Sequence, residues 1–581
     1  MPEEAAGLVR VGTIVRVVLH GRRVRGWVVA DDVEPEAEAS ELRPLTKVAS
    51  AGPLPEVVEL CRWVAWRYAG RLSQILRAAS PPNAVSPEPD PEPNAAVFPP
   101  VALPAAIDGD AMGAGGVVPW PPAADRRELV RALVAPEGSS IVVVPDAAGA
   151  AAVAGDLRDQ GRHTIVVRGD QADAVRTRAW DETRWGACVV VGGRVAVLAP
   201  VPDLQALVVL DEGDESLKEE RTPAWHAREV ALERARRTRA RCTLVSPAPT
   251  LEAVATVGPP VRVDRSFARD GWPRLEVVDL LDQEPGRRLF SDALTQALRS
   301  AVERGTTGVC VLNRKGRARL LTCSRCNHVA RCEVCGAAVA EAEAGLTCAR
   351  CGAQRPRICL HCHGTRFSMW RAGVTRVREQ VAALLPRASV AEVEASTVGL
   401  PDADVFVGTE AVLQRAYGSK RVELVAFLEF DQELLATRYR AAEQALWLLV
   451  RAARLVGDRG GAGRVLVQTR VPDHDVITAA RSADPMIVAD AERARRRVLG
   501  FPPFGGLAEI SGARDAVDVA CASLRSEDGL QVLGPSAAGA SARALVQSAS
   551  TEALCDHLAG VDFAPARARG RLRIDVDPLR V

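Results

Sequence analysis

Short apolar runs alternate with amphipathic stretches from residue 124 to residue 265. The runs are SSIVVVPD, HTIVVRGD, ACVVVGGR, ALVVLDEGD and CTLVSPAP, and the stretches between them include RRELVRALVA and AAAVAGDLRDQG. Uninterrupted apolar runs are typical of strands buried on both faces of a parallel sheet, and stretches with helical spacing supply the crossover helices. The pattern predicts an α/β lobe over 124–265.

A second series of the same kind follows and is interrupted by a cysteine-rich segment. Its apolar runs lie in GVCVLNRKGRA, ASVAEVEAST, ADVFVGTE, LVAFLEFD and RVLVQTRVPDH. They predict a second α/β lobe over 266–322 and 364–480, with 323–363 as an insert. Two tandem lobes of this type suggest a nucleotide-driven motor with ATP in the cleft between them.

In the N-terminal part of the chain, hydrophobic and polar positions recur with other spacings than in the two lobes. GLVRVGTIVRVVLHGRRVRGWVVADD alternates apolar and polar positions, which predicts a small antiparallel β domain over 1–50. Residues 51–80 have helical spacing, with Trp63, Trp66 and Leu76 as the expected core, and predict a winged-helix-like unit.

Two further segments complete the division. Residues 81–123 are rich in proline and predict a linker. Residues 481–581 contain ERARRRVLGFPPFG, which starts at Glu492, and end with RLRIDVDPLRV. A helix, an aromatic-proline turn and strands therefore predict a small α+β domain.

Composition narrows the class of protein. The 581 residues are 48% hydrophobic and 25% charged, and they contain no apolar run of the ~18 residues that span a membrane. We therefore expect a cytoplasmic protein. The net charge of +1 means that any nucleic-acid contact depends on local basic patches. Such a patch could lie on the N-terminal strands, where arginines either form a solvated face or follow phosphates: Arg10, Arg16, Arg22, Arg23 and Arg25.

The segment CSRCNHVARCEVCGAAVAEAEAGLTCARCGAQRPRICLHC contains four CxxC pairs, enough thiolates for two tetrahedral zinc sites. Only five residues separate Cys326 from Cys332, whereas twelve separate Cys335 from Cys348. The longer loop favours an inner site nested within an outer one. The inner site is Cys332, Cys335, Cys348 and Cys351, and the outer site is Cys323, Cys326, Cys359 and Cys362.

Disulfides or an iron-sulfur cluster are the alternatives for these cysteines. No signal peptide precedes them and the other six cysteines are scattered, which favours zinc. Since eight thiolates fill two sites, His328, His361 and His363 are expected beside the metals or at the surface. Sites with four thiolates are structural, so the function must lie elsewhere.

The run LVVLDEGDE places Asp211 and Glu212 where a motor has its Walker B acids. There Asp211 would hold Mg²⁺ and Glu212 would position the attacking water. An ordinary acidic turn after a buried strand gives the same local pattern, so both interpretations remain open at this point.

The phosphate-binding sequence GxxxxGK[ST] is absent. None of the four lysines (Lys47, Lys218, Lys315 and Lys420) follows a glycine. The segment in which the sequence is expected, AMGAGGVVPWPPAADRRELV, contains prolines, which have no N–H to donate to phosphate. ATP with Mg²⁺ is therefore a doubtful cofactor.

The order of motifs resembles that of the PriA family, the primosomal protein N-prime or replication restart helicases of bacteria, which belong to helicase superfamily 2. NRKGRARLLTCSRC resembles the family's NRRGxA stretch before an eight-cysteine module, whose nested pairing is the same. Further similar segments are VVGGRVAVLAPV, TPAWHAREVAL, VSPAPTLE, VFVGTEAVL, GRVLVQT, GFPPF, VLGP and IDVDP. The resemblance covers the chain from about residue 8 to its end and implies two RecA-like helicase lobes.

The chain also departs from the family. The family's DEEH is Asp211, Glu212, Gly213 and Asp214 here. The family's QxxGRAGR corresponds to RAARLVGD, which puts Leu455 and Asp458 where arginine fingers should lie. Because such a finger contributes ~10³-fold or more to phosphoryl transfer, the resemblance implies a divergent member with degenerate helicase motifs and without useful ATP turnover.

The resemblance also implies DNA-binding residues. Gly21 and Arg43 fall where the family has part of a pocket for the 3′ end of a nascent strand, and Trp225 and Arg228 fall in its aromatic-rich loop. In the family a strand with an FDY-like motif precedes this stretch, and the sequence begins after that point, so we expect either that the start codon is placed late or that the pocket is partial.

Three functions follow as hypotheses. The first is a protein that binds stalled forks, D-loops and single strands and helps to reload the replicative helicase without unwinding DNA. Its partners would be primosome proteins, the replicative helicase and single-stranded-DNA-binding protein. The second is an active ATP-dependent 3′-to-5′ helicase with an atypical phosphate site. The third is an adaptor that acts through the zinc module alone. The basic residues around that module suit a surface for DNA or a partner, or a solvated loop: Arg314, Lys315, Arg317, Arg319, Arg325 and Arg331.

Overall fold

The computed structural model describes residues 7–31, 33–34, 45–87, 97–108, 112, 115–283, 289–312, 320–342, 345–369, 373–397, 399–416 and 421–581. In these residues the α/β fold class is confirmed, with two parallel-sheet lobes between a small N-terminal β domain and a C-terminal α+β domain. The described helices include none that is long and apolar enough to cross a bilayer.

The N-terminal domain is an antiparallel sheet with two helices behind it. Its elements are β1 (Ile14–Leu19), β2 (Arg22–Trp27), β3 (Lys47–Ser50), α1 (Pro55–Arg67) and α2 (Leu72–Ala79). The strand order is β2-β1-β3. Between 51 and 80 the structure has these two helices and no strand, so this segment forms no wing of its own.

The first lobe is a parallel sheet in the order β4-β9-β8-β5-β7-β6. Its elements are β4 (Gly115–Val118), α3 (Arg127–Leu133), β5 (Ser139–Val143), α4 (Ala147–Asp159), β6 (Thr164–Val167), α5 (Asp173–Glu182), β7 (Val189–Gly192), β8 (Leu204–Leu210), α6 (Ala227–Thr238), β9 (Arg241–Val245), α7 (Leu251–Val257) and α8 (Arg265–Asp270). The continuous apolar runs form its central strands because helices cover both faces.

The linker predicted over 81–123 is wrong in its C-terminal part. β4 pairs with β9, and Val117 and Val118 are fully buried. Trp120 packs in the same core, 4.8 Å from the ring of Phe267. Glycines before the strand and prolines after it hide a four-residue edge strand from pattern analysis, so the first lobe begins before residue 124.

The second lobe begins with β10 (Arg274–Asp279), α9 (Asp292–Glu303) and β11 (Thr307–Val311). The cysteine-rich insert follows, with β12 (Leu321–Cys323), β13 (Ala340–Ala342), β14 (Gly345–Thr347), β15 (Gln354–Arg355) and β16 (Phe367–Met369). β12 and β16 pair as an antiparallel neck, which joins the insert to the lobe.

The remainder of the lobe completes a parallel sheet in the order β10-β20-β19-β11-β18-β17. Its elements are α10 (Val374–Leu384), β17 (Val390–Val393), β18 (Val405–Gly408), α11 (Ala411–Arg415), β19 (Val422–Phe427), α12 (Asp431–Leu434), α13 (Ala441–Val456), β20 (Arg464–Thr469), α14 (Asp475–Ser482) and α15 (Met486–Leu499).

The C-terminal domain is an antiparallel sheet in the order β22-β23-β21-β24. Its elements are β21 (Gly506–Ala513), α16 (Arg514–Arg525), β22 (Leu530–Ala538), β23 (Ser541–Ser548), α17 (Thr551–Gly560), α18 (Ala564–Ala568) and β24 (Leu572–Val576). The predicted boundary at 481 is too early, because Ala483 and Val488, which follow it, belong to the core of the second lobe.

The C-terminal end of the chain contacts the N-terminal domain and both lobes. Lys218 of the first lobe is buried and pairs with Asp575 over 2.8 Å. Arg67 of α1 pairs with Asp577, and Tyr439 of the second lobe donates to the carbonyl oxygen of Pro578 over 2.9 Å. The last strand and its tail therefore fix the N-terminal helices and both lobes relative to one another.

Candidate nucleotide cleft, metal centre and DNA-binding surface

Asp211 and Glu212 directly follow strand β8 and lie at the edge of the first lobe that faces the second. The Asp211 amide donates to the carbonyl oxygen of Val245 over 2.7 Å, and the backbone of Asp211 has a φ of +53°. The two carboxylates are 3% and 0% exposed. The acids thus lie where the sequence analysis expected the Walker B position, and their partners decide what they can do.

Asp211 is held by two arginines. Arg126 Nη1 lies 2.8 Å from Oδ2, and Arg454 Nη2 lies 2.5 Å from Oδ1. Burial by itself would raise the pKa of Asp211, but Arg454 and Arg126 together lower it to about 2. Both carboxylate oxygens of Asp211 are therefore bound by arginines. In a motor this carboxylate would instead bind Mg²⁺.

Arg126 ends the loop that replaces the phosphate-binding sequence. In this loop the amides of Trp120, Ala123 and Ala124 donate to the carbonyl oxygens of Val118, Gly271 and Pro121. Pro119, Pro121 and Pro122 have no amide hydrogen. A phosphate cradle needs several free backbone N–H groups, and these six residues offer none. The loop therefore does not fit an ATP phosphate.

Glu212 is engaged as completely as its neighbour. Arg228 Nη1 lies 2.8 Å from Oε2, the Thr250 hydroxyl donates to the same oxygen over 2.9 Å, and the Thr250 amide donates to Oε1 over 2.7 Å. Thr250 is also the N-cap of α7. Glu212 thus joins two loops of the first lobe, and both of its oxygens are taken.

The expected DNA contacts at Trp225 and Arg228 are not supported by the structure. Trp225 is 2% exposed and lies in the core shared by the first lobe, α1 and the C-terminal domain. Arg228 is 5% exposed and pairs with Glu212 and Glu229. The burial of both side chains argues against direct contact with DNA, since neither reaches the surface.

Ion pairs continue across the interface between the lobes. Glu252 of the first lobe pairs with Arg440 over 2.6 Å and with Arg496 over 3.0 Å, and Arg496 also pairs with Glu443 over 2.7 Å. Burial acts to raise the pKa of Glu252, but these arginines lower it to about 2. Arg451 pairs with Asp214 over 3.3 Å.

The interface leaves little room for a ligand. Two cavities that lie between Gly213 of the first lobe and Trp447 of the second measure about 40 Å³ each. Pockets for small molecules are larger by roughly an order of magnitude, at ~300–1,000 Å³. The sequence analysis noted Leu455 and Asp458 in place of arginine fingers but missed Arg454, because only the packing of the lobes brings it to Asp211.

The cysteines form two clusters, and they are the ones that the spacing predicts. Cys323, Cys326, Cys359 and Cys362 form one, and Cys332, Cys335, Cys348 and Cys351 form the other, with the sulfur atoms of each within 4.8 Å of one another. Four Sγ–Sγ pairs, two in each cluster, are separated by 3.5 to 3.6 Å. Zn–S bonds of ~2.3 Å in a tetrahedron place sulfurs ~3.8 Å apart, whereas a disulfide requires ~2.05 Å. Each cluster can therefore hold a metal ion.

The described histidines and basic residues near the cysteine clusters lie outside the metal sites. His328 and His361 stack on each other with 3.9 Å between ring centroids, outside both cysteine clusters. Arg350 donates to the carbonyl oxygen of Thr437 over 3.2 Å, which docks the insert on the second lobe. Arg325 and Arg331 are exposed. The remaining basic residues of the predicted surface lie outside the described residues: Arg314, Lys315, Arg317 and Arg319.

Three cations form a row across the N-terminal sheet. Arg16 of β1 lies opposite Arg25 of β2 on one side and Lys47 of β3 on the other. The Arg25 guanidinium is partly covered, and this desolvation, together with repulsion from Arg77 and Arg16, lowers its pKa, so Arg77 of α2 adjoins the row. All four side chains are exposed. Of the expected pocket residues, Gly21 lies in the exposed β1–β2 turn with a φ of +72°, and Arg43 lies outside the described residues.

Two family models match the two ends of the chain. Residues 1–81 match the family model of a 3′DNA-binding domain, which spans both units that the sequence analysis separated at residue 50. Residues 497–579 match the model of the primosomal protein N C-terminal domain. RecG bound to a three-way DNA junction is a similar solved structure, with a TM-score of 0.35 and 11% identity over 68% of this chain and 47% of that one.

Curated relatives match most of the chain. It is 27% identical to the replication restart protein PriA of Bacillus subtilis over 64% of its own length, and it spans half the length of that relative. It is 30% identical to the probable replication restart protein PriA of Mycobacterium bovis and covers 88% of it. It is 31% identical to the probable replication restart protein PriA of Mycobacterium leprae over 90% of its own length and 86% of the relative. The chain therefore belongs to the PriA family.

Proposed function

We propose that this protein binds stalled replication forks and D-loops and helps to reload the replicative helicase, without unwinding DNA by ATP hydrolysis. Membership of the PriA family and the match of residues 1–81 to a 3′DNA-binding domain support fork binding. The observation that carries the second half of the proposal is the pairing of Asp211 with Arg126 and Arg454.

The ion pairs explain how a helicase-like fold can be used without nucleotide. In a motor, ATP closes the cleft and its hydrolysis opens it, so the lobes move along DNA. Here arginines of the second lobe bind the acids of the first directly, and the C-terminal strand joins both lobes to the N-terminal domain. The lobes then act as a fixed frame that holds the DNA-binding domain in one orientation.

Both four-cysteine clusters are proposed to hold Zn²⁺ as structural ions. Four-thiolate sites leave no open position for a substrate, which agrees with a role in shaping the insert on the second lobe. The further partners that we propose are primosome proteins, the replicative helicase and single-stranded-DNA-binding protein, and the proposed location is the cytoplasm.

Binding and strand displacement on the same substrates test the proposal. Fluorescence anisotropy would be measured with a labelled fork, a D-loop, a single strand and a blunt duplex, each with no nucleotide, with ATP and Mg²⁺, and with ADP and Mg²⁺. We expect the fork and D-loop to bind at least ~10-fold more tightly than the blunt duplex, a difference of ~1.4 kcal/mol, with no effect of nucleotide. ATP-dependent strand displacement would instead support the active 3′-to-5′ helicase.

A further inference from the structure

The row on the N-terminal sheet places like charges side by side. Arg25, Arg16 and Lys47 occupy opposed positions on three neighbouring strands, and Arg77 approaches from α2. Like charges directly opposite on a sheet destabilise it. Among the described residues none forms an ion pair with these four side chains. The arrangement therefore costs stability in the free protein, and an anion bound from solution would reverse that cost.

The dimensions of the row suit a polyanion better than a single small anion. Neighbouring strands lie ~4.8 Å apart, so the backbone positions of Arg25 and Lys47 are separated by roughly 10 Å. One DNA strand carries a charge every ~3.4 Å along the helix axis. A strand that crosses the sheet along the row can therefore bring two or more consecutive phosphates within reach of the four side chains.

On one side of the row, β1 and β2 pack against the rest of the N-terminal domain. Trp27 follows Arg25 on β2, its indole Nε1 donates to the Ser80 hydroxyl over 2.9 Å, and the Arg25 guanidinium lies 5.7 Å from its ring centroid. Ile14, two residues before Arg16, is fully buried. The cations thus lie just beyond the packed half of the sheet, in a row that runs across the strands.

We propose that Arg16, Arg25, Lys47 and Arg77 form a binding site for consecutive backbone phosphates of DNA. Because the site contacts phosphates only, its binding is independent of base sequence. This inference rests on the proposed function, since it names the surface that contacts the fork. The phosphates come either from a single strand with a free 3′ end or from a duplex arm, and the two sources share the same chemistry.

The salt dependence of binding tests the site. The Kd of the full-length protein would be measured between about 50 and 200 mM salt for a single strand and for a duplex-armed fork, with the double variant Arg16→Gln/Arg25→Gln. The slope of log K against log salt should be shallower by about 1.4 for a single strand or about 1.8 for a duplex arm, because each lost phosphate contact removes 0.7 to 0.9. The substrate whose slope changes identifies the source of the phosphates.

Two control variants separate charge from structure. Arg514→Gln removes an exposed arginine from the start of α16 and should leave both slopes unchanged. Arg16→Lys keeps the charge and should retain the slope. Because like charges are relieved, the thermal midpoint of the double variant should equal or exceed that of the wild type, whereas loss of a structural role would lower it.

The possible results are distinct. If the wild-type protein binds no fork, the proposed function fails and the site fails with it. If the wild type binds and the double variant keeps the wild-type slope on both substrates, the proposed function stands and the phosphate site is overturned. A double variant with a shallower slope and an unchanged or raised thermal midpoint supports the site.

Discussion

Arg454 of α13 donates to Asp211 Oδ1 over 2.5 Å, and this contact joins the two lobes at the carboxylate that would bind Mg²⁺ in a motor. The residues are 243 positions apart in the chain, so the contact depends on the packing of one lobe against the other. Arg126 occupies the second oxygen of Asp211 from the side where a phosphate-binding loop would lie. A cation from each lobe thus neutralises the carboxylate.

Removing Asp211 should destabilise the fold. Asp211→Asn leaves the guanidinium groups of Arg126 and Arg454 without their anion, and breaking a buried pair costs ~3–5 kcal/mol of unfolding free energy. The control is Asp125→Asn, which breaks the exposed pair with Arg127 beside Arg126 and should lower the unfolding free energy far less. Urea denaturation measures both. Equal stability of the two variants would show that the Asp211 pairs do not hold the lobes together.

The lobe interface should weaken in acid. Asp211 and Glu252 have pKa values lowered to about 2 in the folded protein, against ~3.9 and ~4.3 in an unfolded chain. A lowered folded pKa contributes stability that is complete above the unfolded pKa and is lost as the pH falls toward the folded pKa. The unfolding free energy should therefore decrease between pH ~5 and ~2, by ~2–3 kcal/mol for each group.

Acid could also lower stability by releasing metal from the cysteine clusters. Comparing Glu252→Gln with the wild type separates the two effects, because both proteins have the eight cysteines and differ only in the Glu252 carboxylate. The variant should be less stable at pH 7, and its stability should change less than that of the wild type between pH ~5 and ~3. Parallel curves for the two proteins over this range would contradict the lowered pKa of Glu252.

Each cysteine cluster should bind one zinc ion independently of the other. Purified protein should contain two zinc ions per chain, and either Cys335→Ser or Cys326→Ser should reduce this to one, because the four ligands of each cluster come from different CxxC pairs. Cys521→Ser, which changes a buried cysteine of the C-terminal domain, should keep two. Metal analysis by mass spectrometry is the measurement. Loss of both ions in Cys335→Ser would mean that the sites are not independent.

Trp225 should behave as a core residue. Trp225→Ala removes a side chain that is 2% exposed and should cost ~3–5 kcal/mol of unfolding free energy. Trp225→Phe keeps most of the volume, so the protein should remain folded and should bind a fork with unchanged Kd. Anisotropy with a labelled fork checks this. A folded Trp225→Phe variant with weaker fork binding would restore the DNA contact that the family resemblance implies.

The sequence predicts those features that depend on neighbours along the chain. The cysteine clusters follow from the five-residue and twelve-residue intervals between CxxC pairs, and buried strands such as β8 follow from uninterrupted apolar runs. β4 is missed because two of its four residues are glycines and prolines follow it, so the segment has too few apolar positions to show a period. Arg454 beside Asp211 and the arginines beside Glu252 are missed because they come from the other lobe, and the local sequence pattern contains no information about how the lobes pack.

ATP hydrolysis is the most direct test of the central claim. Purified protein with its zinc content verified would be compared with Glu212→Gln, with and without forked DNA. We predict that both proteins hydrolyse ATP only at the background rate and that forked DNA stimulates neither, because the Asp211 and Glu212 carboxylates are held by arginines and the loop before Arg126 offers no phosphate cradle. Hydrolysis that forked DNA stimulates in the wild type and that Glu212→Gln abolishes would contradict the account.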